Sequence, residues 1–167
     1  MNNAKITENS QFKQGYLYAV RLLTASKKSE SEVVKRLRDK GYGADSTGQV
    51  VEELKKNGVL DDQKLITETI QWASQAKRHG RKRIFFDLKK RGIAASKIEQ
   101  ALEDYAPETE RQIALSLAQD RWDRLSRVEP QKRKKRLYDF LINRGFAFEL
   151  SREVVNVIER NAPHENI

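Results

Sequence analysis

Apolar positions along this chain recur at helical spacing and then stop at a glycine. Val33, Val34 and Leu37 form one stripe, Ile84, Phe85 and Leu88 a second, and Leu137, Tyr138 and Leu141 a third. Each set occupies i, i+1 and i+4, which places it on one face of an α-helix. Each stripe runs into a leucine, three residues, a glycine and a large apolar residue. The copies read Leu37-Arg-Asp-Lys-Gly41-Tyr42, Leu88-Lys-Lys-Arg-Gly92-Ile93 and Leu141-Ile-Asn-Arg-Gly145-Phe146, with the glycines 51 and 53 residues apart. A glycine there suits the left-handed position just past a helix, and the apolar residue after it folds back on the last turn.

The likeness extends beyond the turns. Val50, Val51 and Leu54, then Ala101, Leu102 and Tyr105, then Val154, Val155 and Ile158 fall nine, ten and thirteen residues past the respective glycines. Ser29 with Glu32, Ser46 with Gln49 and Ser96 with Glu99 have capping-box spacing. A more variable helix precedes each pair. The first covers 14–26 with Tyr18, Leu22 and Leu23. The second covers 62–78 with Leu65, Ile66, Ile70 and Trp72, and the third 108–127 with Ile113, Leu117 and Trp122. Asp61 and Asp62 suit the cap of the second of these, and Pro130 suits the first position of a later helix.

The pattern therefore predicts an all-α protein of three tandem three-helix repeats, forming an elongated array open to curvature. The repeats span 14–58, 59–106 and 107–161. Residues 1–13 are expected to be a disordered tail, and 162–167 a second tail. Units of this size have small cores, so neighbours should lean on one another.

Charge is unevenly spread. The chain carries a net charge of +9. Lys77 to Arg91 holds eight basic residues against Asp87, and Pro130 to Arg144 holds six against Asp139. The basicity thus belongs to the middle helices of repeats two and three, while the same helix of repeat one is close to balanced. On a helical projection Lys82, Arg83, Phe86, Lys89 and Lys90 lie opposite Ile84, Phe85 and Leu88. An aromatic ringed by cations on a solvent face suggests a surface for polyanions or for an acidic protein groove. The candidate binding residues are Lys77, Arg78, Arg81, Lys82, Arg83, Phe86, Lys89, Lys90, Lys132, Lys135 and Arg136. A solvated helix face, with Phe86 packed on a neighbouring repeat, is the plain alternative.

Catalytic chemistry is sparse. The chain has no cysteine, which suits a reducing compartment. His79 and His164 are its two histidines, and neither has a metal-ligand or nucleophile–base spacing. His79 reads as a cation at a helix C-terminus, and His164 lies in the expected tail. No Gly-rich phosphate loop occurs. Asp61 and Asp62 are adjacent and do not converge on one side of a helix. Trp72 and Trp122, at helical spacing, read as packing residues. Neither a secretory leader nor an apolar run of membrane-spanning length is visible. The residues assign no catalytic site, no metal and no cofactor, and predict a soluble cytoplasmic protein.

One stretch carries a further signal. Gly58-Val-Leu-Asp-Asp62, the helix to Gly80, then Arg-Lys-Arg-Ile84, Leu88 and Lys-Arg-Gly92-Ile93 resemble the core signature of the RecX family of recombination regulators. The likeness covers roughly 14–161 and includes the three tandem three-helix units. Departures are Val59 where an aromatic is common, Leu65-Ile66 for the usual Phe-Ala, and a turn reduced to Arg78-His79-Gly80-Arg81. The resemblance implies a non-enzymatic protein that binds the RecA recombinase and its filament on single-stranded DNA. It implies lodging in the filament groove and inhibition of extension, ATPase, strand exchange and co-protease activity. Weak direct DNA binding, a monomeric state and no membrane association complete that expectation.

Two other classes fit part of the pattern. A helix-turn-helix DNA-binding regulator would also be short, basic and helical, but needs a recognition helix suited to base edges. Here Lys and Arg outnumber Asn and Gln, which favours backbone contact. A helical-repeat adaptor for an acidic protein partner is the other.

Overall fold

A computed structural model describes residues 2–161, and these form nine α-helices with no strand among them. The helices are α1 (Asn2–Ala25), α2 (Glu30–Asp39), α3 (Ala44–Lys56), α4 (Asp62–Gln75), α5 (Arg81–Lys90), α6 (Ala95–Glu103), α7 (Pro107–Arg124), α8 (Pro130–Asn143) and α9 (Phe148–Asn161). The all-α reading in three-helix repeats holds.

The repeated turn is the device that shapes each middle helix. Gly41, Gly92 and Gly145 have φ of 93°, 81° and 88°. Tyr42, Ile93 and Phe146 each send their backbone N–H to the carbonyl of the repeat's leucine, at 3.1, 3.3 and 3.2 Å. Leu37, Leu88 and Leu141 are fully buried, so one residue anchors the core and receives the closing hydrogen bond. A fourth copy of the turn lies outside the middle helices. Leu54-Lys-Lys-Asn-Gly58-Val59 ends α3 the same way, with Gly58 at φ 66° and Val59 N–H on the Leu54 carbonyl at 2.9 Å. The motif is a helix stop that marks repeats only because each middle helix uses one.

By contacts the chain gathers into two compact units rather than three. The first contains residues up to Glu68 together with Leu88–Ala95. Its core joins Ala19 of α1, Val33 and Leu37 of α2, and Val50, Val51 and Leu54 of α3, closed by Leu60. The turn of the second repeat seats on the start of α2. Ser29 Oγ donates to the Arg91 carbonyl at 2.5 Å. The Arg91 guanidinium reaches the Lys27 carbonyl at 2.7 Å and Glu32 at 3.0 Å. Asp62 Oδ1, from the first turn of α4, accepts the backbone N–H of Glu30 at 2.8 Å.

The second unit contains Thr69–Asp87 and the chain from Ser96 onward. Its core joins Ala114, Leu117, Ala118 and Trp122 of α7, Leu137 and Leu141 of α8, and Val154, Val155 and Ile158 of α9, with Phe146 between. The same seating recurs one repeat later. Gly80 N–H donates to the Arg144 carbonyl at 2.9 Å, and Lys82 N–H to the Gly145 carbonyl at 3.1 Å. A Cβ at Gly80 would strike the Gly145 backbone, so no larger residue fits. Arg144 reaches the Lys77 carbonyl at 2.8 Å, as Arg91 reaches Lys27. Glu110 on α7 accepts the Arg81 N–H at 2.8 Å, as Asp62 does for Glu30. Because the middle repeat gives its turn to one neighbour and its helix start to the other, the chain divides through α4 and α5 rather than between repeats.

The third repeat caps its own middle helix. α2 and α5 begin seven residues before their leucine, whereas α8 begins eleven before it, at Pro130. Glu129 caps this added turn, its carboxylate accepting from Gln131 N–H at 3.2 Å and Lys132 N–H at 3.4 Å.

Several expectations need correcting. The stretch 1–13 was expected to be a disordered tail, but α1 runs from Asn2. No Pro or Gly interrupts the chain before Gly15, so the helix propagates back from the anchored part, where Phe12 joins the core. Of the three capping boxes, Ser29 with Glu32 is present in full. Ser46 lies inside α3, whose cap is the extended Gly43, and its hydroxyl is buried. Ser96 lies inside α6, which begins at Ala95 because alanine favours helix immediately after the turn. Trp122 is buried, but Trp72 is 58% exposed, since Ala73 and Ser74 take the inner face of α4 there. Asp61 caps α4, accepting Lys64 N–H at 3.0 Å. The tail 162–167 and its His164 lie outside the described residues.

Candidate interaction surface

Burial of Ile84 and Leu88 orients α5 and turns Lys82, Arg83, Phe86, Lys89 and Lys90 to solvent, as the periodicity requires. The cations then separate into two kinds. Arg78, Arg81 and Arg83 are engaged within the fold. Arg78, at φ 51°, donates to Asp120 at 2.9 Å, and Arg83 pairs with Asp87 on its own helix at 3.2 Å. Arg81 lies between Glu110 and the Tyr105 ring, its Cζ 5.4 Å from the centroid. Its Nε is 3.1 Å from Glu110 Oε2, an ion-pair contact without hydrogen-bond alignment. Burial pushes the Glu110 carboxyl above 4.5 against the Arg81 backbone and charge, and pushes the Tyr105 phenol up to about 12.

The lysines are the second kind. Lys82, Lys89 and Lys90 are exposed and make no ion pair with a carboxylate among the described residues. Lys82 Nζ sits 4.5 Å from the centroid of Phe148, the first residue of α9. Phe86 meets Phe85 edge-on at 5.6 Å and leaves 64% of itself exposed. Lys77 lies over Trp72 at 5.0 Å.

The basic run of α8 sorts the same way. Arg133 stacks on Trp122 at 4.0 Å and donates to the Trp122 carbonyl at 2.8 Å, and Lys134 pairs with Glu159 at 2.6 Å. Lys132, Lys135 and Arg136 are exposed without a carboxylate partner among the described residues. Beside them an open groove of about 570 Å³ between α8 and α9 is bordered by Lys135, Tyr138, Arg152 and Asn156. Phe148, Trp72 and this groove were not anticipated. An exposed Phe at a helix start carries no periodic signal, and a groove between two helices is invisible before they pack.

His79 reads from the sequence as a helix-end cation, but partial burial, then Arg144 and Arg83, lower its imidazole from 6.5 and disfavour the charged form. Among the described residues no three His, Cys, Asp or Glu converge as metal ligands, and no helix is long and apolar enough to cross a membrane. The arrangement offers cations and aromatic faces, chemistry suited to binding.

Comparison with known proteins identifies relatives. Residues 16–54 match the model of the first three-helix domain of RecX, and residues 108–155 that of the third. The regulatory protein RecX of Pelodictyon phaeoclathratiforme is 33% identical over 134 residues, covering 79% of this chain and 81% of that protein. The regulatory protein RecX of Chlorobium phaeobacteroides is 28% identical, covering 89% of this chain and 96% of that protein. The crystal structure of RecX from Lactobacillus salivarius superposes with a TM-score of 0.82 at 19% identity, over 91% of this chain and 99% of that one.

Proposed function

The chain belongs to the RecX family, and from that premise we propose that its unpaired cations are what it presents to the RecA filament. RecX proteins are non-catalytic regulators that bind RecA and inhibit the activities of its nucleoprotein filament. Within that role the finer reading concerns which side chains make contact. One observation carries it. Lys82, Lys89 and Lys90 on α5, with Lys132, Lys135 and Arg136 on α8, extend cations that no carboxylate of the described chain neutralises.

Such groups attract acidic protein surface and phosphates without requiring a particular base sequence. Two basic helices on one chain also act together. Once one is engaged, the other searches at high local concentration, so modest contacts multiply. On this reading the chain acts as a cytoplasmic monomer lodged in the filament groove, with weak direct contact to DNA.

The test is the ATPase of RecA on single-stranded DNA with this protein titrated in. Inhibition near one molecule per RecA supports groove occupancy, whereas inhibition far below equivalence assigns the effect to filament ends. Reversing Lys82, Lys89 and Lys90 to Glu should abolish inhibition while the far-UV circular dichroism is unchanged. Undiminished inhibition by that variant removes α5 from the contact.

A further inference from the structure

We propose that Phe86 and Phe148, with Lys82 between them, form a stacking platform for the bases of single-stranded nucleic acid. The proposal rests on the reading of α5 as a contact surface, and its deciding measurement, binding of a bare strand, does not require RecA. Leaving a Phe side chain in water forgoes most of the stabilisation that burial would give it. Phe86 is 64% and Phe148 51% exposed, although each belongs to a helix whose other large apolar residues are buried or half-buried.

The two rings are linked through one lysine. Lys82 and Phe86 stand four residues apart on α5 and so share a face. The Lys82 ammonium lies 4.5 Å from the Phe148 centroid, on the same patch of the second unit. Phe86 is steadied by its edge-on contact with Phe85, so little side-chain freedom is lost on binding. Lys89 and Lys90 follow three and four residues after Phe86, one helical turn further along. The carboxylates adjacent in sequence are Asp87, already paired with Arg83, and Glu149, which follows Phe148 at the start of α9.

Exposed π-faces beside cations that track a backbone are the combination that binds single strands with little sequence preference. A duplex hides the faces of its bases and could use only the lysines. An acidic protein partner would bury the same rings and pair with the same lysines, so the arms of the test separate it from a single strand.

The experiment measures anisotropy of a labelled oligothymidylate and of an abasic sugar-phosphate strand of equal length, using the full chain alone. Phosphate count is identical, so the difference reports the bases. The base-bearing strand should bind at least about tenfold tighter. Phe86→Ala with Phe148→Ala should erase that preference and leave the salt dependence unaltered. Phe86→Leu with Phe148→Leu should erase it too, since leucine keeps the apolar area but lacks the π-face. Lys82→Gln with Lys89→Gln should instead flatten the salt dependence. Equal affinity for the two strands, or a preference that survives both Phe replacements, overturns the proposal. Failure to bind either strand also overturns it, and loss of RecA inhibition by the alanine variant in that case assigns the rings to a protein contact. RecA inhibition is scored separately, so loss of the platform and loss of the regulatory reading are distinct results.

Discussion

Glu110, on the first helix of the third repeat, accepts the backbone N–H of Arg81, the first residue of α5, at 2.8 Å. A carboxylate from the following repeat thus caps the middle helix of the preceding one, as Asp62 does for Glu30. Removing it leaves two needs at once, an open helix start and an arginine without its buried acid. Glu110→Ala should cost about 1–2 kcal/mol for the cap alone, read as a lower urea midpoint. Glu110→Gln retains an acceptor for the amide and should cost less.

The two inter-repeat contacts should respond to acid in opposite directions. Burial holds Glu110 above 4.5, so the folded chain binds its proton more readily than the unfolded chain does. That charge therefore weighs against the fold at neutral pH, and the cost is relieved as pH falls through the raised value toward 4.5. For Glu32, burial raises the carboxyl, but hydrogen bonds from Arg91 and from the Ser29 N–H, with the charges of Arg91 and Lys28, bring it below 4.5. Its contribution is complete above 4.5 and is lost as pH falls through the lowered value. Carboxyl carbon NMR titration of the two residues should order them this way, and Arg91→Met should move Glu32 upward and leave Glu110 unmoved.

Three glycines of similar φ should tolerate alanine unequally. A Cβ at Gly41 meets nothing within 4 Å, so Gly41→Ala should cost only the left-handed strain, about 1–2 kcal/mol. At Gly92 the added carbon strikes the Ser31 side chain, and at Gly145 the backbone of Arg83. Both should melt lower than Gly41→Ala. Ser31→Gly should partly rescue Gly92→Ala, whereas no side-chain truncation at Arg83 should rescue Gly145→Ala.

Helix stripes and turns were legible because a buried face and a residue at positive φ each impose a local pattern. Val33, Ile84 and Leu137 announce their burial by spacing, and Gly41, Gly92 and Gly145 announce their turns. The roles of the arginines were not legible. Asp120, Glu110 and Glu32 lie 42, 29 and 59 residues from Arg78, Arg81 and Arg91, so a run of positive charge looked uniform when it was not. The same blindness placed Trp72 inside and left Phe148 unnoticed. Ser46 and Ser96 have the right spacing for caps, but the preceding turn had already started each helix.

That division of the basic residues is itself testable. Lys89→Gln and Lys135→Gln should leave the melting curve within about 0.5 kcal/mol of the parent, because neither side chain has a carboxylate partner among the described residues. Arg81→Gln should destabilise by more than either, as it abandons Glu110. A melting curve for Arg81→Gln that overlays those of the lysine variants would show the buried pair to be energetically idle.

Glu129→Ala should loosen the added turn of α8 and cost about 1 kcal/mol, visible as faster amide exchange at Gln131 and Lys132.

Glu129 sets the third middle helix apart in one further respect. The starts of α2 and α5 each borrow a carboxylate from the repeat that follows, Asp62 and Glu110, whereas α8 takes its acceptor from the residue just ahead of it. Damage at Glu129 therefore stays inside one repeat, while damage at Asp62 or Glu110 is felt by two.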